Sequence, residues 1–118
     1  MNQGHEIDDQ VDLQQFRAAQ ATLKGAAAYE RLLRLAEERD SGQIPRIAAF
    51  VAATYNGDAF RLNPFEMRAV DVSISDDMLL CLDALRWACA DLYTLVPDGD
   101  RRVRAVIDRW SLRWPDEV

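Results

Sequence analysis

The sequence contains a single histidine, His5, and one lysine among its 14 basic residues. Histidine is the commonest general base at neutral pH, and one histidine near the N-terminus leaves no Ser-His or Cys-His pair on a rigid scaffold. The Cys-x-x-Cys, His-Glu-x-x-His, Walker-loop and Gly-x-Gly-x-x-Gly motifs are also absent from the sequence. We therefore expect neither a catalytic site of these kinds nor a bound cofactor.

Cysteines and long apolar runs are equally scarce. Cys81 and Cys89 lie about 12 Å apart along a helix, which is too far for a disulfide. Two buried, reduced thiols are typical of a reducing compartment. No run approaches the roughly 18 apolar residues of a membrane span, and the first ten residues do not resemble a signal peptide. These features predict a cytoplasmic protein without a membrane partner.

Negative charge prevails, since 20 acids against 14 bases give a net charge of −6. The acids are spread along the chain, and no segment is basic enough to be a nucleic-acid-binding arm. Phosphate repels such a protein at long range, so we expect no direct DNA binding. The charge instead favours a protein partner that is basic or indifferent to charge.

The chain of 118 residues is long enough for one domain with its own core. Residues 1–10 are polar and acidic, which predicts a mobile tail before a single α-helical domain at residues 11–118. Residues 75–96 carry apolar side chains on most sides at helical spacing. This pattern predicts a central helix packed by neighbours on several flanks.

Other stretches show apolar spacing bounded by glycine, asparagine or proline, at residues 11–25, 26–40, 44–55, 63–70 and 100–114. We expect Gly25 to end the first of these helices, Ser75 to cap the central helix and Pro115 to end the last. The predicted fold is a compact all-α bundle of about five helices around residues 75–96. The weak first helix, residues 11–25, packs loosely or pairs with a partner, so an oligomer could form through it.

Several short motifs recur in one group of proteins: Asp-Ser-Gly-Gln at 40–43, Ala-x-Phe at 48–50, Tyr-Asn-Gly-x-x-Phe-Arg-Leu at 55–62 and Ser-Asp-Asp-Met-Leu at 75–79. With these motifs the chain resembles small proteobacterial proteins carried on integrative and conjugative elements and related mobile DNA. The resemblance implies a mobile-element gene with an accessory or host-takeover role. It carries over no catalytic residue.

Two groups of acids are candidates for chemistry. A carboxylate-based enzyme would use Asp76, Asp77 and Asp83. A cation would bind at Asp8, Asp9 and Asp12. A helix start and ordinary solvation explain the first group, and the second lacks the spacing and glycine turn of an EF-hand. We therefore expect no metal site and no catalytic residue.

The predicted last helix carries two tryptophans four residues apart, each preceded by an arginine. Tryptophan and arginine are enriched at interface hot spots, although both tryptophans could instead cover the central helix. Two acids on the helix at 26–40 would steer the protein toward a basic groove. The predicted protein-binding residues are Trp110, Arg113, Trp114, Arg109, Glu37 and Glu38.

These observations together favour a non-enzymatic, acidic protein-binding module. The leading hypothesis is a mobile-element-encoded inhibitor of the anti-CRISPR or anti-restriction type, which occludes a protein surface of a host nucleic-acid-targeting defence complex. A structural accessory protein of conjugation or element maintenance is the first alternative. A carboxylate-based enzyme or a small-ligand sensor is a more distant one.

Overall fold

The computed structural model describes the backbone of residues 3–114 and the side chains of residues 10–114. Its α-helices are α1 (Gln3–Glu38), α2 (Ile44–Tyr55), α3 (Val72–Trp87) and α4 (Gly99–Arg109). Two short 3-10 helices, Pro64–Ala69 and Leu92–Leu95, precede and follow α3. Residues 3–114 contain no strand, and the predicted all-α single-domain bundle is confirmed.

The helix around which the others pack is α1. Its side chains Tyr29, Leu32 and Leu33 are fully buried, and it contacts α2, α3, α4 and the second 3-10 helix. The sequence had predicted this central position for residues 75–96. That prediction was wrong because Leu79 and Leu85, which fit the helical apolar pattern, are exposed on α3.

No break occurs in α1 at Gly25, where the sequence predicted a helix end. An ideal Cβ at Gly25 would lie 2.3 Å from the Cβ atom of Ala84 and 3.1 Å from the carbonyl oxygen of Leu80. The glycine therefore permits close approach of α1 and α3. The same helix extends back to Gln3, so residues 3–10 are helical where a tail was predicted; the mobility of that tail stays a prediction.

The start and end of α3 also differ from the prediction. The helix begins after Asp71, and the predicted cap, Ser75, lies inside it with its hydroxyl donating to the carbonyl of Val72 at 3.0 Å. At the other end, Ala88 adopts a left-handed conformation with φ of 56°. Cys89 follows in the resulting turn and is exposed, so its predicted burial was wrong.

The last helix, α4, is shorter than predicted. Ser111 is left-handed with φ of 56°, and the amide of Leu112 donates to the carbonyl of Ile107 at 2.9 Å, which is the hydrogen bond of a Schellman C-cap. Trp114 therefore lies beyond the helix and does not continue its apolar face. The predicted stop signal, Pro115, lies outside the described residues.

The connection from α2 to α3 forms one wall of the site described below. Asn56 follows α2, and its side-chain oxygen accepts from the amides of Asp58 and Ala59 at 3.1 Å each. Asn63 caps the first 3-10 helix by accepting from the amide of Phe65 at 3.1 Å. Both positions agree with the predicted bounds of the stretches at 44–55 and 63–70, because asparagine commonly closes turns and caps helices.

Candidate functional site

Two of the predicted binding residues cap the C-terminal end of α1. The indole nitrogen of Trp110 donates to the carbonyl of Ala36 at 2.8 Å. The guanidinium of Arg109 donates to the carbonyls of Glu37 and Arg39 and lies over the Trp110 ring, 5.3 Å from its centroid. The last carbonyls of a helix have no partner within it. These two side chains therefore have a structural role.

Trp114 lies at a different place, against the end of α2. Its ring packs edge-to-face on Phe60, with centroids 4.8 Å apart, and on Tyr55 at 6.4 Å. The guanidinium of Arg104 lies 5.8 Å from the centroid of Trp114. Arg113 is exposed. Both tryptophans thus contact the body of the domain, and they do not form one aromatic patch.

The two predicted acids also differ from each other. Arg102 bridges Glu37 and Glu30, with N–O distances between 2.7 and 3.0 Å. The hydrogen bonds from Arg102 lower the pKa of Glu30 to about 2. The charge of Glu37 is compensated by Arg102 within the fold. Glu38, in contrast, is exposed and lies in a charged depression beside Arg34 and Arg39. Of the pair, Glu38 is the acid available to a partner.

The candidate catalytic acids on α3 do not converge. Asp77 accepts two hydrogen bonds from Arg31, at 2.8 and 3.0 Å. Asp83 accepts from Arg86 at 2.6 Å, and this hydrogen bond lowers the pKa of Asp83. Asp76 is exposed. Each of the two paired acids thus serves an ion pair, and the three together line no common cleft.

The predicted absence of a metal site concerns residues that are only partly described. The side chains of Asp8 and Asp9 lie outside the described residues, and Asp12 is exposed. Among the side chains at 10–114, no three histidine, cysteine or acidic residues lie close enough to hold a metal ion. In the same part of the chain, no helix combines the length and hydropathy that a membrane crossing requires.

A cleft of about 260 Å³ lies between α2, the α2–α3 connection and α3. Phe50, Met67 and Met78 give it an apolar floor, and Phe50 and Met78 are almost fully buried. Its rim carries an ion pair between Arg46 and Glu66, with an N–O distance of 3.1 Å. The rest of the lining is Pro45, Ala49, Arg61, Leu62 and Asn63.

An exposed aromatic side chain lies in the same 3-10 helix that lines this cleft. Phe65 is 67% exposed, and the guanidinium of Arg68 lies 5.1 Å from its ring centroid. Leu62, at the rim, is 40% exposed, and Arg61 beside it is exposed as well. This surface therefore combines aromatic, aliphatic and arginine side chains, which is the composition enriched at interface hot spots. Leu62 and Arg61 line the cleft, whereas Phe65 and Arg68 lie in the adjoining 3-10 helix and do not line it.

The size and lining of the cleft limit what it can hold. Pockets for drug-sized ligands and cofactors span about 300–1,000 Å³, and this cleft, at about 260 Å³, is smaller. Its floor carries no titratable side chain, and the charged groups lie at the rim. The cleft therefore suits one apolar side chain of a ligand that is flanked by charged or polar groups.

Sequence reasoning missed this cleft because its walls come from three separate elements. The motif at 55–62 served only as part of the family resemblance, and Phe65 lay within the predicted helical stretch at 63–70. One signal was available: Leu62 and Phe65 are large apolar residues in a stretch rich in turn and cap residues. Such a stretch offers little regular packing, so exposed apolar residues there are candidates for binding.

The fold and the cleft define a small all-α domain with a side-chain-sized apolar site. Residues 26–111 match the family of unknown function DUF7673, and the chain belongs to this family. The matched region contains the whole cleft, α2, α3 and α4, and it leaves residues 3–25 of α1 outside. No curated protein and no solved structure gives a significant match.

Proposed function

We propose that the chain is a non-enzymatic protein-binding module that receives an apolar side chain of its partner in the cleft beside Phe65. The observation that carries the proposal is an exposed phenylalanine, Phe65, in the 3-10 helix that lines an open cleft, whose floor contains two methionines, Met67 and Met78. Methionine side chains adapt their shape to different apolar groups. The cleft also lies within residues 26–111, which the family shares.

The charges at the cleft indicate the chemistry of the partner segment. Arg61 in the lining of the cleft and Arg68 in the adjoining 3-10 helix are exposed, whereas Arg46 is already paired with Glu66. Exposed arginines pair well with carboxylates in a two-pronged geometry. The proposed ligand is therefore a peptide segment with an apolar anchor and an acidic residue close to it in sequence.

As the leading partner we propose a protein subunit of a host nucleic-acid-targeting defence complex, which the chain would inhibit by covering a protein surface. This class of partner rests on one expectation from the sequence, the resemblance to mobile-element proteins, and on one observation, the net charge of −6. A negative protein is repelled by nucleic acid and is steered toward basic proteins. The acidic ligand segment would then be a local feature of a partner that is basic overall.

A comparative pull-down from a host lysate tests the cleft directly. The baits are the parent chain, Phe65→Ala, which removes the exposed ring, and Ala49→Leu, which fills the cleft. Leu85→Ala is the matched control, because it also removes an exposed apolar side chain, at the other end of α3. We expect the parent and control baits to recover the partner and both cleft variants to lose it.

The recovered protein then decides among the partner classes. A subunit of a defence nuclease supports the inhibitor, and a component of the conjugation machinery supports the structural alternative. Retention by both cleft variants, with loss on changing Arg113 or Trp114, would return the interface to the C-terminal residues. Sub-micromolar binding of duplex DNA near physiological salt would contradict a protein-directed function.

Affinity measurements with the purified partner sharpen the same test. An anchor residue at an interface typically contributes about 2 kcal/mol or more, which corresponds to a roughly thirty-fold change in Kd. We expect at least this loss for Phe65→Ala, at an unchanged melting temperature, because the ring is largely exposed in the free chain. A Kd within about threefold of the parent value would exclude Phe65 as the anchor.

A further inference from the structure

The first half of α1 has an apolar face that no described part of the chain covers. Leu13, Phe16 and Leu23 follow one another at three and seven residues, which places them on one side of the helix. They are between 62% and 67% exposed. The side of α1 that packs on α3 is a different one and carries Ala21 and Gly25.

The same half of α1 extends beyond the body of the domain. The guanidinium of Arg17 lies 5.4 Å from the ring centroid of Trp87, the last residue of α3. The two helices run antiparallel, so residues before Arg17 project past the end of α3, and residues 10–17 are all exposed. The 36 residues of α1 span about 54 Å. This length explains the 61 Å long dimension of a molecule that is otherwise 31 by 26 Å.

Charge is divided unevenly along this projecting helix. Residues 3–12 contain four acids and no lysine or arginine. Residues 13–29 contain Arg17 and Lys24 and no acid. An acidic segment and a basic segment thus lie end to end on one rod, with the apolar face on the basic segment. Such a rod is complementary in charge to a copy of itself turned end for end.

We infer that the apolar face of α1 pairs with the same face of a second copy, with the two helices antiparallel and Leu13 level with Leu23 of the second copy. In this register Phe16 lies beside Gln20 of the other helix, and all three large apolar side chains of each copy are covered. The acidic residues 3–12 of each copy then run beside Lys24 and the following turns of the other. A two-fold axis relates the copies, as in most homodimers.

These observations favour a second copy of the chain as the partner of the apolar face, and they favour an antiparallel orientation of the two helices. A parallel pair would bring the four acids of each copy together over the same ten residues, which like-charge repulsion opposes. The antiparallel pair exchanges that repulsion for attraction between opposite charges. The apolar face at Leu13, Phe16 and Leu23 also lies outside the residues that match the family, so self-association is separable from the site beside Phe65.

Sedimentation velocity across a concentration series tests the dimer with the full chain. We expect a concentration-dependent dimer, and at least a tenfold increase in its dissociation constant for Phe16→Ser. Leu79→Ser is the control, because Leu79 is a similarly exposed apolar residue on α3 and should leave association unchanged. A chain that stays monomeric at all concentrations overturns the inference, as does a dimer that Phe16→Ser leaves intact.

Disulfide trapping tests the direction in a Cys89→Ser background, where the remaining native thiol, Cys81, is buried. Leu13→Cys should not cross-link with itself, because the two sites lie about 15 Å apart along the helices and a disulfide needs Cα atoms within about 7 Å. A mixture of Leu13→Cys and Leu23→Cys chains should give a mixed covalent dimer. Efficient self-cross-linking of Leu13→Cys would mean a parallel pair and would overturn the proposed arrangement.

Discussion

At the scale of single residues, Arg102 links α4 to α1. Its guanidinium is 13% exposed and binds two carboxylates, Glu30 and Glu37, each about one quarter exposed. Charge-assisted hydrogen bonds in such a partly desolvated place are stronger than those of surface ion pairs. The bridge could not be predicted from the sequence, because residues 65 positions apart meet only in the fold.

Arg102→Ala should lower the free energy of unfolding by about 2 kcal/mol at pH 7, because it removes charge-assisted hydrogen bonds and leaves two acids side by side. Urea unfolding monitored by tryptophan fluorescence measures this change. Arg101→Ala is the matched control, since its ion pair with Asp98 is about 70% exposed on both sides. The control should change stability by less than about 0.5 kcal/mol; equal losses would contradict the structural role of the bridge.

The Glu30–Arg102 contact also predicts a pH dependence. Its hydrogen bonds lower the pKa of Glu30 from 4.5 to about 2. The contribution of ionised Glu30 to the free energy of unfolding is therefore complete above pH 4.5 and is lost as the pH falls toward 2. Stability of the parent chain should therefore decline through this window. The decline should be shallower in Arg102→Ala, where Glu30 keeps only its more exposed partner, Arg34.

The two cysteines should differ sharply in reactivity. Cys81 is fully buried, and burial raises the pKa of its thiol to about 12, whereas Cys89 is exposed. A thiol reagent should therefore label Cys89 rapidly and Cys81 only on unfolding, because the thiolate is the reactive form. Mass spectrometry of the labelled chain distinguishes the sites, and rapid labelling of both without denaturant would contradict the packing of α3 on α1.

At the scale of helices, the close approach of α1 and α3 depends on Gly25. Gly25→Ala should destabilise the domain by about 1–3 kcal/mol through overpacking, even though alanine favours helix more than glycine does. The clash is with the Cβ atom of Ala84, so adding Ala84→Gly should recover much of the loss. Thermal unfolding of the two single variants and the double variant measures this coupling. If Gly25→Ala stabilised the chain, the close contact would be wrong.

Helix positions could be predicted from the sequence better than helix ends. The starts of the predicted stretches at 44–55 and 63–70 agree with the start of α2 at Ile44 and with the Asn63 cap, because the responsible atoms lie within a few residues of each other. The end of α3 could not be predicted in this way. Leu92 and Val96 keep helical spacing with the preceding residues, but they are buried side chains of a separate turn that follows α3. Periodicity records which residues face the core and not whether the backbone between them is continuous.

The proposed binding surface could not be predicted from the sequence for the same reason. Trp110 and Trp114 are four residues apart, so a continuous helix would have placed them side by side. The left-handed residue Ser111 separates them. The cleft beside Phe65 was not predicted, because its walls come from segments brought together only by folding.

At the scale of the whole molecule, the two proposed binding surfaces lie in different parts of the described chain. The cleft lies in the region shared with the family, and the projecting half of α1 lies outside it. The first surface is small, concave and rimmed by arginine, whereas the second is long, convex and divided in charge. A protein with both could occlude its partner as a dimer, which would raise its apparent affinity if the partner offers two sites.

Methyl NMR of the chain labelled at the methionine Cε atoms tests the proposed cleft most directly. The sequence has three methionines, of which Met67 and Met78 line the cleft and Met1 serves as a reference. When the partner recovered from the lysate is titrated in, the signals of Met67 and Met78 should shift while that of Met1 stays in place. Saturating partner that leaves both cleft signals unchanged would contradict the account.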